Sequence, residues 1–543
     1  MKIKFLGASQ VVTGSNYLIT TDKYKILIDC GLFQGSKELE RLNFEDFQFV
    51  PEEIDFLFLS HAHIDHSGRI PKLVKEGFNG KIVCTKATKD LCDIMLVDSG
   101  HIQETDAKWE NNKRKRAGKP LIEPLYTAED AVKSLNYFTT ALYGQKIDIN
   151  EDITVRFRDA GHILGSSIIE LWITEKGKEI KIVFSGDLGM KDRPIIRDPE
   201  IIEDADYLII ESTYGDRLHE DVEVRAEKLV DIINKTVSRG GTVVIPSFAV
   251  GRTQELIYEL NKYYEYNNNI EEFMRIPIYI DSPMAVSATD TFRKNSDCFD
   301  EEAKKLILGG DNPFEFTNLH YIRSQEESIK LNKSIYPKVI ISASGMCTAG
   351  RVRHHLKYNL WKGRNSVIFV GYQAEGTLGR LLKDGVKRVK LLGEQVIVEA
   401  EIHSIEGFSA HADRDGLVDW LKGFKKLPSK VFVVHGEKEA SHSFAETISE
   451  KFKVETIVPN IGDVFELSCE FSKCYSGEVM VPLKQKESIK KELQQVYDEF
   501  ESIVSRTNKL LDTEFLKSDY DNLKNSLIEL HQKLMDINIL LGE

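Results

Sequence analysis

Residues 60–68 read Ser60-His61-Ala62-His63-Ile64-Asp65-His66-Ser67-Gly68. No other stretch constrains the fold so tightly. Three imidazoles and a carboxylate, at His61, His63, Asp65 and His66, fall within six consecutive positions. The mostly apolar run Ile54-Asp55-Phe56-Leu57-Phe58-Leu59 precedes them, and such a run ended by polar residues predicts a buried strand. The ligand types therefore gather in a tight loop at a strand's C-terminal edge. Imidazole and carboxylate without thiolate suit zinc and similar divalent ions. Surface histidines clustered by chance are the bland alternative, and the close spacing leaves little room for it. The pattern implies a metal site.

A chain of 543 residues is too long for one ordinary core, and length alone suggests about three or four domains. Charged residues at 29% and hydrophobic residues at 41% exclude a disordered or membrane class. No apolar run approaches the roughly 18 residues of a membrane span. Met1–Gly7 enters a strand at once, which leaves no room for a signal peptide. Seven cysteines, never in C-x-x-C spacing, argue for reduced thiols and a cytoplasmic protein. The net charge of −14 would by itself argue against nucleic acid. It is a sum over the chain, however, and a local basic groove can coexist with acidic outer surfaces.

The first two hundred residues read as short strands such as Lys25–Asp29, Lys81–Thr85, Thr154–Arg158, Ser167–Ile173, Ile180–Phe184 and Tyr207–Ile210. A helical pattern over Lys89–Asn111 leads to a basic loop, Lys113-Arg114-Lys115-Arg116, with Trp109 just before it. That loop reads as a solvated connection or as a contact for a polyanion. From about His219, helix and strand alternate, which predicts a parallel, doubly wound sheet. Near Val396 the chain returns to strands, so the α/β stretch reads as inserted into the first domain. In the last sixty residues, apolar positions from Ile489 to Leu541 recur in steps of three and four, which predicts two antiparallel helices. Their stripe fits intramolecular packing or, as the sharper reading, a homodimer contact.

Further acidic residues and a histidine follow apolar strands: Asp29, His162, Asp187 and Glu211. The ordered set Asp29, His61-x-His63-x-Asp65-His66, His162 and Asp187 resembles the metallo-β-lactamase superfamily. Glu211, His411 in Phe408-Ser409-Ala410-His411, and His435 in Val434-His435-Gly436-Glu437 match motifs A, B and C of its β-CASP branch. That branch includes bacterial and archaeal RNA-processing ribonucleases related to the pre-mRNA 3′-end endonuclease. The resemblance covers roughly residues 1–468. It implies an αββα sandwich over 1–216, an inserted doubly wound β-CASP domain over 217–395 and a sandwich return segment over 396–484. A C-terminal helical hairpin over 485–543 lies outside it.

Carried over by position, the resemblance implies two zinc ions per chain. One would take His61, His63, His162 and Asp187. The other would take Asp65, His66, Asp187 and His435, with Asp187 bridging. Such a pair can clamp the attacking and leaving oxygens of an in-line displacement and supply hydroxide at neutral pH. Asp29 is expected to hold a ligand loop or orient the hydroxide. His411 matches the family's general acid, with Glu211 keeping it protonated. Water rather than a ribose 2′-OH attacks, so 5′-phosphate and 3′-hydroxyl products are expected.

Two small-residue turns before helices offer phosphate seats: Ser342, Ser344 and Gly345 in the first, Gly376 and Thr377 in the second. Each reads equally well as an ordinary strand-to-helix turn. Arg351, Arg353 and His354 follow the first and favour it. The leading expectation is a zinc-dependent ribonuclease acting internally on single-stranded RNA. A 5′-exoribonuclease, a DNA nuclease of the same branch, a small-molecule hydrolase and a metal-free RNA-binding scaffold are its rivals. His435 at motif C resembles the RNA-directed members, and no ligand position is missing.

Overall fold

The computed structural model describes residues 1–219, 225–266, 276–468, 474–475 and 522–527. Two sheets stack face to face. One has eight strands in the order Cys474–Tyr475, Val464–Glu466, Lys2–Phe5, Tyr17–Thr20, Lys25–Ile28, Phe56–Phe58, Lys81–Thr85, Phe138–Ala141. The other has seven: Glu455–Ile457, Lys430–Val434, Tyr207–Glu211, Lys178–Phe184, Ser167–Glu175, Ile153–Asp159, Lys146–Asp148.

Along Ile153–Asp159, buried and half-buried residues alternate, as the period of two requires. Val155 and Phe157 thus drop between the sheets beside Phe5, Tyr17, Phe184 and Phe432. The outward residues of the same sheets are also apolar and are covered by helices. Leu57, Leu59 and Ile82 lie under Ile70–Lys75 and Lys86–Arg116. Leu208, Ile210, Val431 and Val433 lie under Arg414–Leu421 and Lys438–Phe452. The result is an αββα sandwich.

After Glu211 the chain leaves the sandwich and builds a third sheet, then returns as Lys430–Val434 beside the strand it left. The third sheet has six parallel strands in the order Leu319–Tyr321, Ile278–Ile280, Lys338–Ser342, Thr242–Pro246, Ser366–Phe369, Glu401–Ser404. Its central strands are buried on both faces, because helices cover both. Val243 and Ile245 pack with Leu229, Ile233 and Leu256, whereas Val244 packs with Val352, Leu356 and Leu382. This is the doubly wound insertion.

Two expectations change. The boundary at 395 falls inside this unit, since Glu401–Ser404 is its edge strand; half-exposed and polar, it carries no apolar signal. The basic loop at Lys113–Arg116 is the last turn of a 31-residue helix, Lys86–Arg116, where cations meet the negative end of the helix dipole. The hairpin expected over 485–543, and with it the homodimer reading, lies outside the described residues except for 522–527, which are helical. Among the described residues no helix is long and apolar enough to cross a membrane.

Candidate metal centre

The site forms where parallel strands end together. Ile28 sits opposite Phe58, so Asp29 and the His61–His66 loop leave the first sheet at one edge. Phe184 sits opposite Ile209 and Glu211 opposite Val434, so Asp187, Glu211 and His435 leave the second sheet likewise. Backbone bonds pin the histidine loop from the neighbouring strand end: Cys30 N–H donates to His66 O at 2.8 Å and Ser15 N–H to Asp65 O at 2.8 Å. Gly31 allows this approach, since a Cβ there would stand 1.6 Å from Asp65 O.

Two groups of ligand atoms converge. In the first, His63 Nδ1 lies 3.1 Å from His61 Nε2 and 3.2 Å from His162 Nε2, and Asp187 Oδ2 lies 3.4 and 3.6 Å from the same two nitrogens. In the second, His66 Nε2 lies 3.0 Å from His435 Nε2 and 3.3 Å from Asp187 Oδ1, and His435 Nε2 lies 3.5 Å from Asp65 Oδ2. Tetrahedral ligands at ~2.1 Å from a zinc ion stand about 3.4 Å apart. Both groups match that edge length. Asp187 offers one oxygen to each group, and its buried Oδ1 has no hydrogen-bond partner, an arrangement costly unless a cation satisfies it. These residues can hold metal.

Electrostatics agree. Burial pushes His61 and His162 well below the ordinary imidazole value and His63 to about 4, so the first group presents neutral nitrogens, the ligand form. Against their own burial, the imidazoles hold Asp187 well below the usual carboxylate range, and His435 and His66 hold Asp65 down. His66 differs: Asp187 and Asp29 outweigh its burial and raise it. Asp29 Oδ2 lies 2.6 Å from His66 Nδ1, which reserves the Nδ1 proton for Asp29 and leaves Nε2 toward the site.

Asp29 itself is fully buried, accepting from Ser60 N–H at 2.8 Å, Ser60 Oγ at 2.9 Å and Ser15 Oγ at 3.0 Å. It holds His66 and the loop that carries it and does not line the cleft. His411 Nδ1 lies 3.1 Å from both oxygens of Glu211. Although burial opposes it, Glu211 and then Asp187 raise His411 to about 9.

The cleft above these groups measures about 460 Å³ and includes His63, Asp65, His162, Asp187, His411 and His435 in its lining. Its remaining walls come largely from the long helix (Met95, Ile102) and the inserted domain (Phe248, Met284, Met346, Arg351). Ser344 lines it; Ser342, Gly345, Gly376 and Thr377 do not. Ser342 donates its hydroxyl to Asp281 O at 2.7 Å. Gly345 packs against the Phe248 ring. Thr377 caps the helix Leu378–Lys383. The first phosphate seat is also no helix start, because its helix begins only at Val352.

Sequence reasoning missed several supports. Thr213 Oγ1 lies 3.1 Å from His435 Nδ1 and steadies that ring; its place two residues after Glu211 was the available signal. No local pattern marks the ionic cluster behind His411. There Arg193 donates to Glu255 at 2.8 Å, to Gly407 O at 2.9 Å and to Ser409 O. Arg225 donates to Gly407 O at 2.9 Å and to Glu259 at 2.5 Å, and Arg252 pairs with Glu255. Two of these arginines thus hold the carbonyls just before His411.

Three family descriptions match the chain in order. The metallo-beta-lactamase superfamily matches residues 10–135, the Beta-Casp domain 253–382, and the Zn-dependent metallo-hydrolase RNA specificity domain 395–459. Among named relatives, Ribonuclease TTHA0252 of Thermus thermophilus is 37% identical over 439 residues, covering 81% of this chain and 94% of that protein. Transcription termination factor FttA of Methanocaldococcus jannaschii is 33% identical over 470 residues, covering 84% and 70%. The RNase J-like protein of the same archaeon is 33% identical over 470 residues, covering 86% and 99%. Likeness at this level across most of both chains, with the sandwich, the insertion and the histidine–carboxylate cluster in place, means that the chain belongs to the β-CASP branch of the metallo-β-lactamase superfamily.

Proposed function

We propose that the protein is a zinc-dependent endoribonuclease that hydrolyses single-stranded RNA to 5′-phosphate and 3′-hydroxyl ends. One observation carries the reading: the His411–Glu211 pair stands beside two groups of ligand atoms, with one oxygen of Asp187 3.4 Å from His61 Nε2 in the first and the other 3.3 Å from His66 Nε2 in the second. His61, His63, His162 and Asp187 would hold one ion, and Asp65, His66, Asp187 and His435 a second. When bound, such a pair offsets phosphate charge and makes water nucleophilic near neutral pH.

The protein's own groups do the rest. Asp29 and Thr213 fix the His66 and His435 rings. Phe248, whose ring centroid lies 6.3 Å from that of His63, and Met95, Ile102 and Met346 give the cleft apolar walls on which bases can stack. Ser344 offers the cleft wall a hydroxyl contact for phosphate, whereas the Arg351 guanidinium in the same wall is held by Asp281 at 2.7 Å and by Arg323 O at 3.0 Å. With Nδ1 turned to Glu211, His411 donates a proton from Nε2 to the departing 3′ oxygen as the P–O3′ bond breaks. The names of the relatives, a ribonuclease and an RNase J-like protein, support RNA as substrate.

The test is cleavage of an internally structured RNA labelled at its 5′ end, with a DNA of the same sequence in parallel. Internal labelled fragments from RNA alone are expected. Labelled mononucleotide as the first product would replace the endonuclease reading with a 5′-exonuclease. DNA cleaved as well as RNA would overturn the substrate, and cleavage of neither would overturn nuclease action.

A further inference from the structure

The long helix does more than wall the cleft. Met95, Asp98, Ser99, Ile102 and Gln103 line it, and steps of three and four carry that face outward through Asp106, Trp109, Lys113 and Arg116. Residues at this spacing share one side of a helix. From Ile102 to Arg116 the stripe extends about 21 Å at ~1.5 Å per residue. Arg353, on the helix of the inserted domain that follows Arg351, lies close enough to oppose the upward push of burial on Asp106. The outer stripe is thus continuous with the cleft mouth.

Its chemistry is unlike the rest of the chain. Between Lys108 and Lys119 there are six cations (Lys108, Lys113, Arg114, Lys115, Arg116, Lys119) and one carboxylate, Glu110, in a protein of net charge −14. Glu110 is shared by Lys113 at 3.6 Å and Arg114 at 3.4 Å, so most of the positive charge faces solvent. Trp109 is 60% exposed, with Lys113 Nζ 3.1 Å from its ring centroid. The end of the helix is built rather than frayed. Asn111 exchanges two 2.8 Å hydrogen bonds with Ile122, and Lys119 N–H donates to Arg114 O at 2.9 Å. A favourable helix dipole accounts for cations in the last turn. It accounts neither for Lys108 and Lys119 nor for an exposed indole on the cleft side.

We infer that the outer half of this helix, from Ile102 to Arg116, is a docking track for single-stranded RNA outside the cleft. The inference rests on the ribonuclease reading for its substrate. Trp109 stacks a base, with Lys113 at the other face of the ring, while Arg116, Lys115 and Lys119 take phosphates. A stacked base and a basic groove together bind single strands with little sequence preference, and the exposed indole of Trp109, a stacking surface for a base, selects RNA over an acidic protein surface. The track would make affinity depend on RNA length.

The experiment compares Trp109→Ala and the double variant Lys113→Glu/Arg116→Glu with wild type, as full-length protein, on a uridylate tetranucleotide and a uridylate 30-mer. KM for the 30-mer is expected to rise roughly ten-fold with kcat unchanged, and tetranucleotide kinetics to stay as in wild type. Trp109→Phe should restore most of the loss. For the double variant, the log–log salt slope of 30-mer binding should fall by about 0.7, the contribution of the one single-strand phosphate contact, at Arg116, that it removes. Direct binding of the 30-mer is followed by fluorescence anisotropy in a His411→Ala background. Equal 30-mer affinity in variants and wild type would overturn the track. If wild type cleaved neither RNA, the ribonuclease reading would fall, and anisotropy would still decide whether this face binds RNA.

Discussion

At the scale of single residues, Asp187 is the most exposed to test, because both groups of ligand atoms depend on its carboxylate. Asp187→Ala should remove about two zinc equivalents together, read by elemental analysis of metal-replete protein; one equivalent retained would mean that the groups do not share it. His411→Ala should slow cleavage by about 10²–10⁴-fold and leave metal content unchanged, whereas His435→Ala should lower metal content as well. Equal metal loss in the two variants would make His411 a ligand rather than an acid. The pH profile gives a third reading. An acid must carry its proton, and Glu211 holds His411 above the ordinary imidazole value against its burial, so activity should fall on an alkaline limb. Glu211→Gln removes a negative charge that favours the imidazolium, so the alkaline limb should move to lower pH. An unmoved limb would separate Glu211 from the proton.

At the scale of elements, the ionic cluster of Arg193, Arg225, Arg252, Glu255 and Glu259 ties helices of the inserted unit to the loop before His411. Its members are largely buried, and a buried pair broken from one side leaves an uncompensated charge. Glu255→Ala would leave Arg193 and Arg252 without their carboxylate partner. It should destabilise the fold by about 3–5 kcal/mol, measured by urea denaturation, and lower kcat more than it raises KM. A stability change under 1 kcal/mol would show that water reaches this cluster and screens it. The cluster also explains why the inserted unit matters to the chemistry: it holds Gly407 O and Ser409 O, two to four residues from the imidazole.

At the scale of the whole molecule, the chain divides near residue 477, and the described residues before that point form one compact unit. Every residue assigned to the site lies in that unit. A chain ended at Leu483 should therefore keep its zinc and its activity on a short RNA, checked by elemental analysis and a tetranucleotide assay. Insoluble or metal-free protein would show that the C-terminal segment completes the catalytic fold. The whole-chain charge of −14 says little about substrate, because the basic end of the long helix and the ligand cluster are local exceptions to it.

The sandwich, the insertion and the histidine–carboxylate cluster were legible in the chain because each rests on local pattern. Apolar strands end in His or Asp, and strands alternate with helices across 225–404. The edge strand Glu401–Ser404 was not legible, since its pairing depends on a neighbour 35 residues away and half-exposed polar residues carry no periodic signal. The phosphate seats failed for a related reason. Ser342, Gly345, Gly376 and Thr377 have suitable chemistry, but whether a hydroxyl faces a cleft or caps a helix is set by packing. Lys113–Arg116 read as a loop, yet 31 continuous helical residues carry it outward from the cleft. Sequence by itself determined which groups could do chemistry here and which strands would end near them. Only tertiary structure decided that His66 leans on Asp29 and that Arg193 reaches the carbonyls before His411. Those contacts join residues far apart in the chain, and their geometry exists only once both sheets and the insertion are packed.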